Sequence, residues 1–269
     1  MEQEIEWRDV RPVRPAAGYI GGKRNLARRL VQQIEAIPHA CYAEAFVGMG
    51  GVFLRRCRAP RLEVINDVSG DVATFFRILQ RHFVPFVDML RWQVAGRREF
   101  ERLKAADPAT LTDLERAARF LYLQRNAFGG KVTGRSFGVD PLRGSAFNPT
   151  QLVPMLDELH ERLAGVVIEQ LGYEAFIPRY DRPGTLFYLD PPYAGSEDDY
   201  GPGFTPADFG RLAGVLGRLR GRFILSINDR PEIRAAFHGH HVEEVEVAYT
   251  IGSKAGHRAR ELIIMGGGN

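Results

Sequence analysis

The 269-residue sequence predicts an α/β protein built on a parallel sheet, with a helical and then basic segment set into it. Three observations carry that prediction. Short apolar runs of strand length alternate with amphipathic helical patterns towards both ends of the chain. A glycine-rich turn, Val47-Gly48-Met49-Gly50-Gly51, follows the first apolar run, where a parallel strand would pass into its crossover helix. The alternation then stops between Arg81 and Pro149, where the pattern becomes helical and afterwards rich in glycine and arginine.

The elements follow in order. Residues 1–17 are charged and proline-rich, lack the apolar core of a signal peptide, and read as a flexible arm. Residues 27–37 read as a helix with Leu30, Ile34 and Ile37 on one face, stopped by Pro38. A strand over 41–46 enters the glycine turn, and a helix is expected over 52–56. Residues 62–66 form a second buried strand, and 72–81 a helix with Val72, Phe75, Phe76 and Leu79 inward. Residues 83–128 read as wholly helical, with Thr112-Asp113-Leu114-Glu115 matching a capping box. From Gly129 to Pro149, glycines alternate with Lys131, Arg135 and Arg143, a stretch too long for a plain connector and therefore a candidate functional insertion. A helix over 152–163 and strands over 166–169 and 185–189 come next. Thr205 and Pro206 open another helix as N-cap and first residue. A strand over 223–227 and an antiparallel hairpin with arms at 242–251 and 262–265 close the chain.

Composition excludes several classes. At 45% hydrophobic and 26% charged, the chain is neither disordered nor collagen-like. No apolar run approaches the roughly 18 residues of a membrane span. Cys41 and Cys57 lack CxxC spacing, which fits a reducing cytoplasmic setting and argues against a zinc ribbon. His238-Gly239-His240-His241 has no further ligand at suitable spacing, so no metal is implied. The formal charge is only +3, but 32 of the 36 basic residues are arginine, leaving Lys23, Lys104, Lys131 and Lys254. Arginine suits phosphate and base-edge recognition, and GC-rich codons produce the same excess.

Two motifs carry chemistry. In Glu44-Ala45-Phe46-Val47-Gly48-Met49-Gly50-Gly51 the glycines permit a tight strand-to-helix turn. Asp67 ends the next strand, 16 residues beyond Gly51, where nucleotide-binding α/β folds place a carboxylate on ribose hydroxyls. No phosphate loop of the G-x-x-x-x-G-K-[ST] type is present, so the pair suits S-adenosylmethionine better than ATP. In Leu186 to Tyr193 an apolar strand delivers Asp190, then Pro191, Pro192 and Tyr193. The prolines cannot extend a ladder. A carboxylate beside a rigid carbonyl forms two acceptors for an amino group, and Tyr193 can stack on a planar base.

These residues bring a family into view. Asp190-Pro191-Pro192-Tyr193 resembles the DPPY motif of amino-directed DNA methyltransferases. Tyr19-Ile20-Gly21-Gly22-Lys23 resembles the GGK motif of Dam-type DNA adenine methylases, the glycine loop matches their cofactor loop, and Ile65-Asn66-Asp67 their next motif. The order of motifs agrees from Tyr19 to Met265, and the overall look is that of phage or prophage members. The resemblance implies a Rossmann-like S-adenosylmethionine-dependent sheet with a helical target-recognition insertion. Residues 18–82 and 150–269 would be catalytic, and 83–149 would read DNA. It further implies that Lys23, with Tyr19 and Gly22, helps hold the methionine part of the cofactor. Glu44 and Phe46 would flank the cofactor, Gly48 and Gly50 would allow close approach, and Asp67 would take the ribose. Asp190 and the Pro191 carbonyl would accept hydrogen bonds from adenine N6, and Tyr193 would stack on the flipped base.

The amino lone pair of adenine is conjugated and poorly nucleophilic, so acceptors at N6 favour a pyramidal nitrogen and stabilise its developing charge. In-line placement of the methyl donor supplies much of the rest, without a metal. The target atom is hidden in a duplex, which requires base flipping.

Leu123 to Lys131 resembles the family segment before its recognition hairpin, with Gly129 where the Dam pattern commonly has Asn. Arg125, Asn126, Lys131, Arg135 and Arg143 are candidate contacts to double-stranded DNA, as are Lys254 and Arg258 in a C-terminal loop. A single chain carrying every motif is compatible with a monomer. Other readings share part of this pattern: methylation of cytosine N4 or of RNA, or a catalytically silent DNA-binding homologue. A nicotinamide-dependent oxidoreductase would account for the glycine turn and Asp67 but not for DPPY or GGK.

Overall fold

A computed structural model describes residues 6–139, 144–196, 199, 204–249 and 257–268. In chain order the described elements are β1 (Arg8–Asp9), α1 (Ala27–Ala36), β2 (Cys41–Glu44), β3 (Arg58–Ala59), β4 (Leu62–Asn66), α2 (Gly70–Arg81), α3 (Phe83–Arg91), α4 (Arg97–Ala105) and α5 (Asp113–Asn126). They continue with α6 (Pro149–Arg162), β5 (Val167–Glu169), α7 (Tyr173–Tyr180), β6 (Thr185–Leu189), α8 (Pro206–Leu216), β7 (Arg222–Asn228), α9 (Pro231–Ala236), β8 (His241–Tyr249) and β9 (His257–Gly267).

Seven strands form one sheet in the order β5-β4-β2-β6-β7-β9-β8. The first five are mutually parallel, and β9 and β8 complete an antiparallel edge. Strand order reverses at β2, whose neighbours are β4 on one side and β6 on the other. Open α/β sheets bind ligands beyond the carboxyl ends of their strands at such a point. Both faces are covered, which explains why β6 is buried at all five positions. Alternation divides its side chains: Leu186 and Tyr188 join the core with Ile34, Phe53 and Phe75, while Phe187 and Leu189 join the core with Phe176 and Leu212.

The helices α3 to α5 share the first of these cores. The Phe75 ring of α2 lies 6.1 Å from Phe86 of α3 and 5.9 Å from Phe120 of α5. The capping box at α5 forms as expected: Glu115 N donates to Thr112 Oγ1 at 3.3 Å, and Thr112 N donates to Glu115 Oε2 at 2.9 Å. No described helix is long and apolar enough to cross a membrane.

Three expectations need correction, and one helix was not expected. The segment 83–128 is three helices, because Gly96 is extended at the start of α4 and Pro108 holds Asp107 extended before a short 3-10 turn. The helix expected over 52–56 is only a 3-10 turn, Phe53–Arg55, since Arg56 leaves it at ψ 144° towards β3. The helix α7, which contains Pro178, has no counterpart in the sequence prediction. The N-terminal segment is no flexible arm from Arg8 onward. β1 pairs antiparallel with β3, Val10 N donates to Cys57 O at 2.9 Å, Val13 N donates to Leu54 O at 2.8 Å, and Val13 and Ala16 are buried.

Candidate active site

A cavity of about 1230 Å³ opens at the carboxyl ends of β2 and β6. Its wall brings together Tyr19, Gly22, Lys23, Glu44, Phe46, Gly48, Asp67, Asp190 and Pro192, all singled out in the sequence. Gly50, Pro191 and Tyr193 are not on this wall. Gly50 shapes the loop instead: its φ is +75°, and a Cβ there would lie 2.8 Å from the Leu54 side chain. Tyr193 faces a smaller cavity of about 400 Å³ with Asn228 and Glu261.

The glycine turn is fixed by Asp67, which accepts from Gly48 N and from Ser69 N, both at 2.9 Å. Burial pushes the Asp67 carboxyl up to about 6 against these two N–H groups. A carboxylate has about four lone-pair positions, so acceptor capacity remains after two bonds. Gly48 has φ +50°, and a Cβ there would meet the Tyr19 ring at 3.0 Å, so the ring lies directly on the turn.

Glu44 ends β2 and is buried. The Tyr42 hydroxyl donates to it at 2.5 Å. Burial pushes its carboxyl up to about 8, opposed by that hydrogen bond and by the charge of Arg56. The Arg56 guanidinium lies 3.6 Å above the centre of the Tyr42 ring and pairs with Glu63. Arg162 grips Glu63 in a bidentate contact of 2.7 and 2.9 Å. No sequence motif marks this network, because its members come from β2, β4, α6 and the turn before β3.

Asp190 ends β6. Lys23 Nζ donates to its Oδ1 and to the Gly21 carbonyl at 3.1 Å, and lies 4.3 Å from the centre of the Tyr193 ring. Burial pushes Asp190 up to about 6, with Lys23 pulling it down. Ser226 Oγ is 3.5 Å from the same oxygen and 2.8 Å from the Tyr188 hydroxyl. The next turn is clamped from the neighbouring strands. Asn228 exchanges two 3.0 Å hydrogen bonds with the Ala194 backbone, and the Tyr193 hydroxyl donates to Glu261 at 2.6 Å. Ser226, Asn228 and Glu261 are absent from the sequence prediction. So are Tyr173 and Phe204, whose rings stand about 6 Å from Phe46 and make an aromatic end of the large cavity.

The residues expected at DNA divide. Arg125 and Asn126 both have partners inside the protein. Arg125 Nε donates to the Ala146 carbonyl at 2.7 Å and its Nη1 to the Ala16 carbonyl. Asn126 is buried, and its Nδ2 donates to the Tyr122 carbonyl at 2.8 Å. Lys131 is exposed. Arg135 is half-buried and donates to Gln124 Oε1 and the Lys131 carbonyl, each at 3.1 Å. Arg143, Lys254 and the side chain of Arg258 lie outside the described residues. Gln124, unforeseen, ties the recognition segment to the GGK loop, donating to Gly18 O at 2.8 Å and Gly130 O at 2.7 Å. Phe128 is 60% exposed beside these groups.

The model of the D12 class N6 adenine-specific DNA methyltransferase family matches residues 19–251. The Type II methyltransferase M.CviBI of Paramecium bursaria Chlorella virus NC1A is 21% identical over 257 residues, covering 93% of this chain and 96% of the relative. The Type II methyltransferase M1.LlaDCHI of Lactococcus lactis subsp. cremoris is 24% identical over 278 residues, covering 96% of each. Among solved structures, the precorrin 8W decarboxylase of Methanobacterium thermoautotrophicum aligns with a TM-score of 0.40 at 12% identity, covering 96% of this chain and 100% of that one.

Proposed function

Because the chain belongs to the D12 class of N6 adenine-specific DNA methyltransferases, we propose that its large cavity holds the methyl donor and that Asp190 receives the target adenine. The enzyme uses S-adenosylmethionine to methylate adenine N6 in DNA. The cavity suits that cofactor. It exceeds the volume usual for small-ligand sites, has an aromatic end at Phe46, Tyr173 and Phe204, and carries Asp67 and Glu44 on its wall. When bound, S-adenosylmethionine supplies an electrophilic sulfonium methyl.

The residues divide the work. Phe46 with its aromatic neighbours takes the base of the cofactor, and Asp67 takes the ribose. Tyr19, Gly22 and Gly48 keep the loop backbone close. Ionised Glu44 faces the cationic part. Asp190 accepts a hydrogen bond from adenine N6–H and stabilises positive charge as the nitrogen is alkylated. The Pro191 carbonyl is the second acceptor, and Pro192 keeps the turn rigid. Tyr193, held by Glu261, offers its ring to the extruded base.

The substrate is double-stranded DNA, read by the segment 83–149 acting within a single chain. Lys131 and Arg135 contact the backbone, and exposed Phe128 offers an apolar face to an unstacked base step. Arg143, Lys254 and Arg258 remain in this proposal by their positions in the sequence. Two free cysteines support a cytoplasmic setting. The Type II naming of the relatives supports a site-specific enzyme of the restriction–modification kind.

One observation carries the reading: Lys23 of the GGK loop meets Asp190 of DPPY across 167 residues, on the wall of one cavity. Methylation-sensitive sequencing of host DNA after expression tests it. N6-methyladenine in one recurring sequence context is expected. Modified cytosine, or unmodified DNA with labelled RNA, would overturn it.

A further inference from the structure

Three arginines on the cavity wall, Arg14, Arg24 and Arg55, belong to no sequence motif. Neighbouring arginines are paired: Arg8 with Glu63, Arg11 with Glu158 and Arg29 with Glu243. Among the described residues, Arg14, Arg24 and Arg55 have no carboxylate partner. Arg14 and Arg24 are exposed, and Arg55 is half-buried with Nη1 donating to the Gly51 carbonyl. Arg14 and Arg24 share the cavity wall with Arg55. The Arg55 guanidinium is held below its ordinary value by burial first, then by the charges of Arg24 and Arg14.

Their place in the cavity is informative. A Cβ at Gly51 would lie 3.8 Å from Arg55 Nη1 and 3.8 Å from the Lys23 backbone nitrogen. The cluster therefore stands where the glycine turn ends against the GGK loop, three residues beyond the Gly48 that bonds Asp67. Like charges gathered without a counter-ion beside a ligand cavity are complementary to an anion. A guanidinium presents five donors, and Arg55 uses one on Gly51, leaving others for a carboxylate.

We propose that Arg14, Arg24 and Arg55 form the anchor for the α-carboxylate of the cofactor's amino-acid tail, within the methionine part that the family resemblance gives to Lys23 with Tyr19 and Gly22. The proposal rests on the reading of the large cavity as the cofactor site. Lys23 is already engaged by Asp190 and Gly21, and its withdrawal would leave a partly buried carboxylate without its cation. The division leaves Lys23 as a positioning residue for Asp190 and gives the zwitterionic tail an acidic wall at Glu44 and a basic wall at the arginines.

Calorimetric binding tests this with two ligands. S-adenosylhomocysteine has the amino-acid tail, and 5′-methylthioadenosine lacks it. In R14A/R24A, two exposed positions with little risk to folding, S-adenosylhomocysteine should bind about tenfold or more weakly while 5′-methylthioadenosine stays within about twofold of wild type. R55K, which keeps the charge but loses the fork, should give a smaller loss with the same selectivity. Unchanged S-adenosylhomocysteine affinity in R14A/R24A would overturn the proposal, and a loss confined to duplex DNA binding would move the cluster to the DNA backbone. Wild-type protein that bound neither ligand would instead overturn the reading of the cavity itself.

Discussion

Lys23 Nζ donates to Asp190 Oδ1 and simultaneously sits 4.3 Å over the ring of Tyr193. One ammonium group thus joins the GGK loop to the acid and the aromatic of DPPY. It stabilises a carboxylate that burial alone would drive towards its neutral form, and it lies on the ring proposed to receive the flipped base.

Protonated Asp190 cannot accept from N6–H as a carboxylate does, so methyl transfer should rise with pH through its value of about 6. Lys23 lowers that value, and K23M should move the acidic limb upward by about one unit. Single-turnover rates across pH check this, and an unmoved limb would count against the pair.

Glu44 gives a second pH effect. With a carboxyl near 8, it carries a proton at neutral pH that a cationic ligand must displace. Affinity for S-adenosylmethionine should therefore increase as pH rises to about 8, by at most about tenfold per unit for one released proton. Asp67 and Asp190 titrate near 6, so E44Q, which removes only the Glu44 proton, separates its contribution from theirs. E44Q should flatten the rise in a binding titration. The sign for stability is opposite. A raised folded value contributes stability that is complete below the unfolded value and lost as pH rises through the folded one, so the ligand-free protein should weaken towards pH 8.

Glu63 concerns the fold. It is buried between Arg56 and Arg162, and E63A would leave two buried guanidinium groups without their anion. A loss of about 3–5 kcal/mol is expected. Urea unfolding checks this, and a loss under about 1 kcal/mol would mean that the network is not coupled to stability.

DNA contacts separate Lys131 from Arg125. K131A should lower the slope of log affinity against log salt by about 0.9 for one lost phosphate contact. R125A should leave the slope unchanged and lower the melting temperature, since its guanidinium joins the carbonyls of Ala16 and Ala146. Equal slopes for K131A and wild type would remove Lys131 from the interface.

Much of the frame was legible because local chemistry determines it. The runs at Leu62–Asn66 and Thr185–Leu189 have the length and apolar character of buried strands, and both form with those bounds. The capping box at Thr112 depends on residues three apart. Long-range pairing is not written locally. Nothing around Arg56 announces Glu63, nothing around Gln124 announces Gly18, and Arg125 looks as available for phosphate as Lys131 until Ala16 folds against it. The N-terminal segment misleads for the same reason, since its order comes from β3, about 50 residues away.

Asp190 is proposed to accept from adenine N6–H during transfer. The direct measurement uses methyl-labelled S-adenosylmethionine and duplex DNA, with the label located by nucleoside analysis, for wild type and for D190A shown to bind S-adenosylhomocysteine and DNA. Label on adenine N6 is expected with wild type, and a rate at least about 10²–10³-fold lower with D190A. Transfer by D190A at the wild-type rate, or wild-type label on cytosine, would contradict that role.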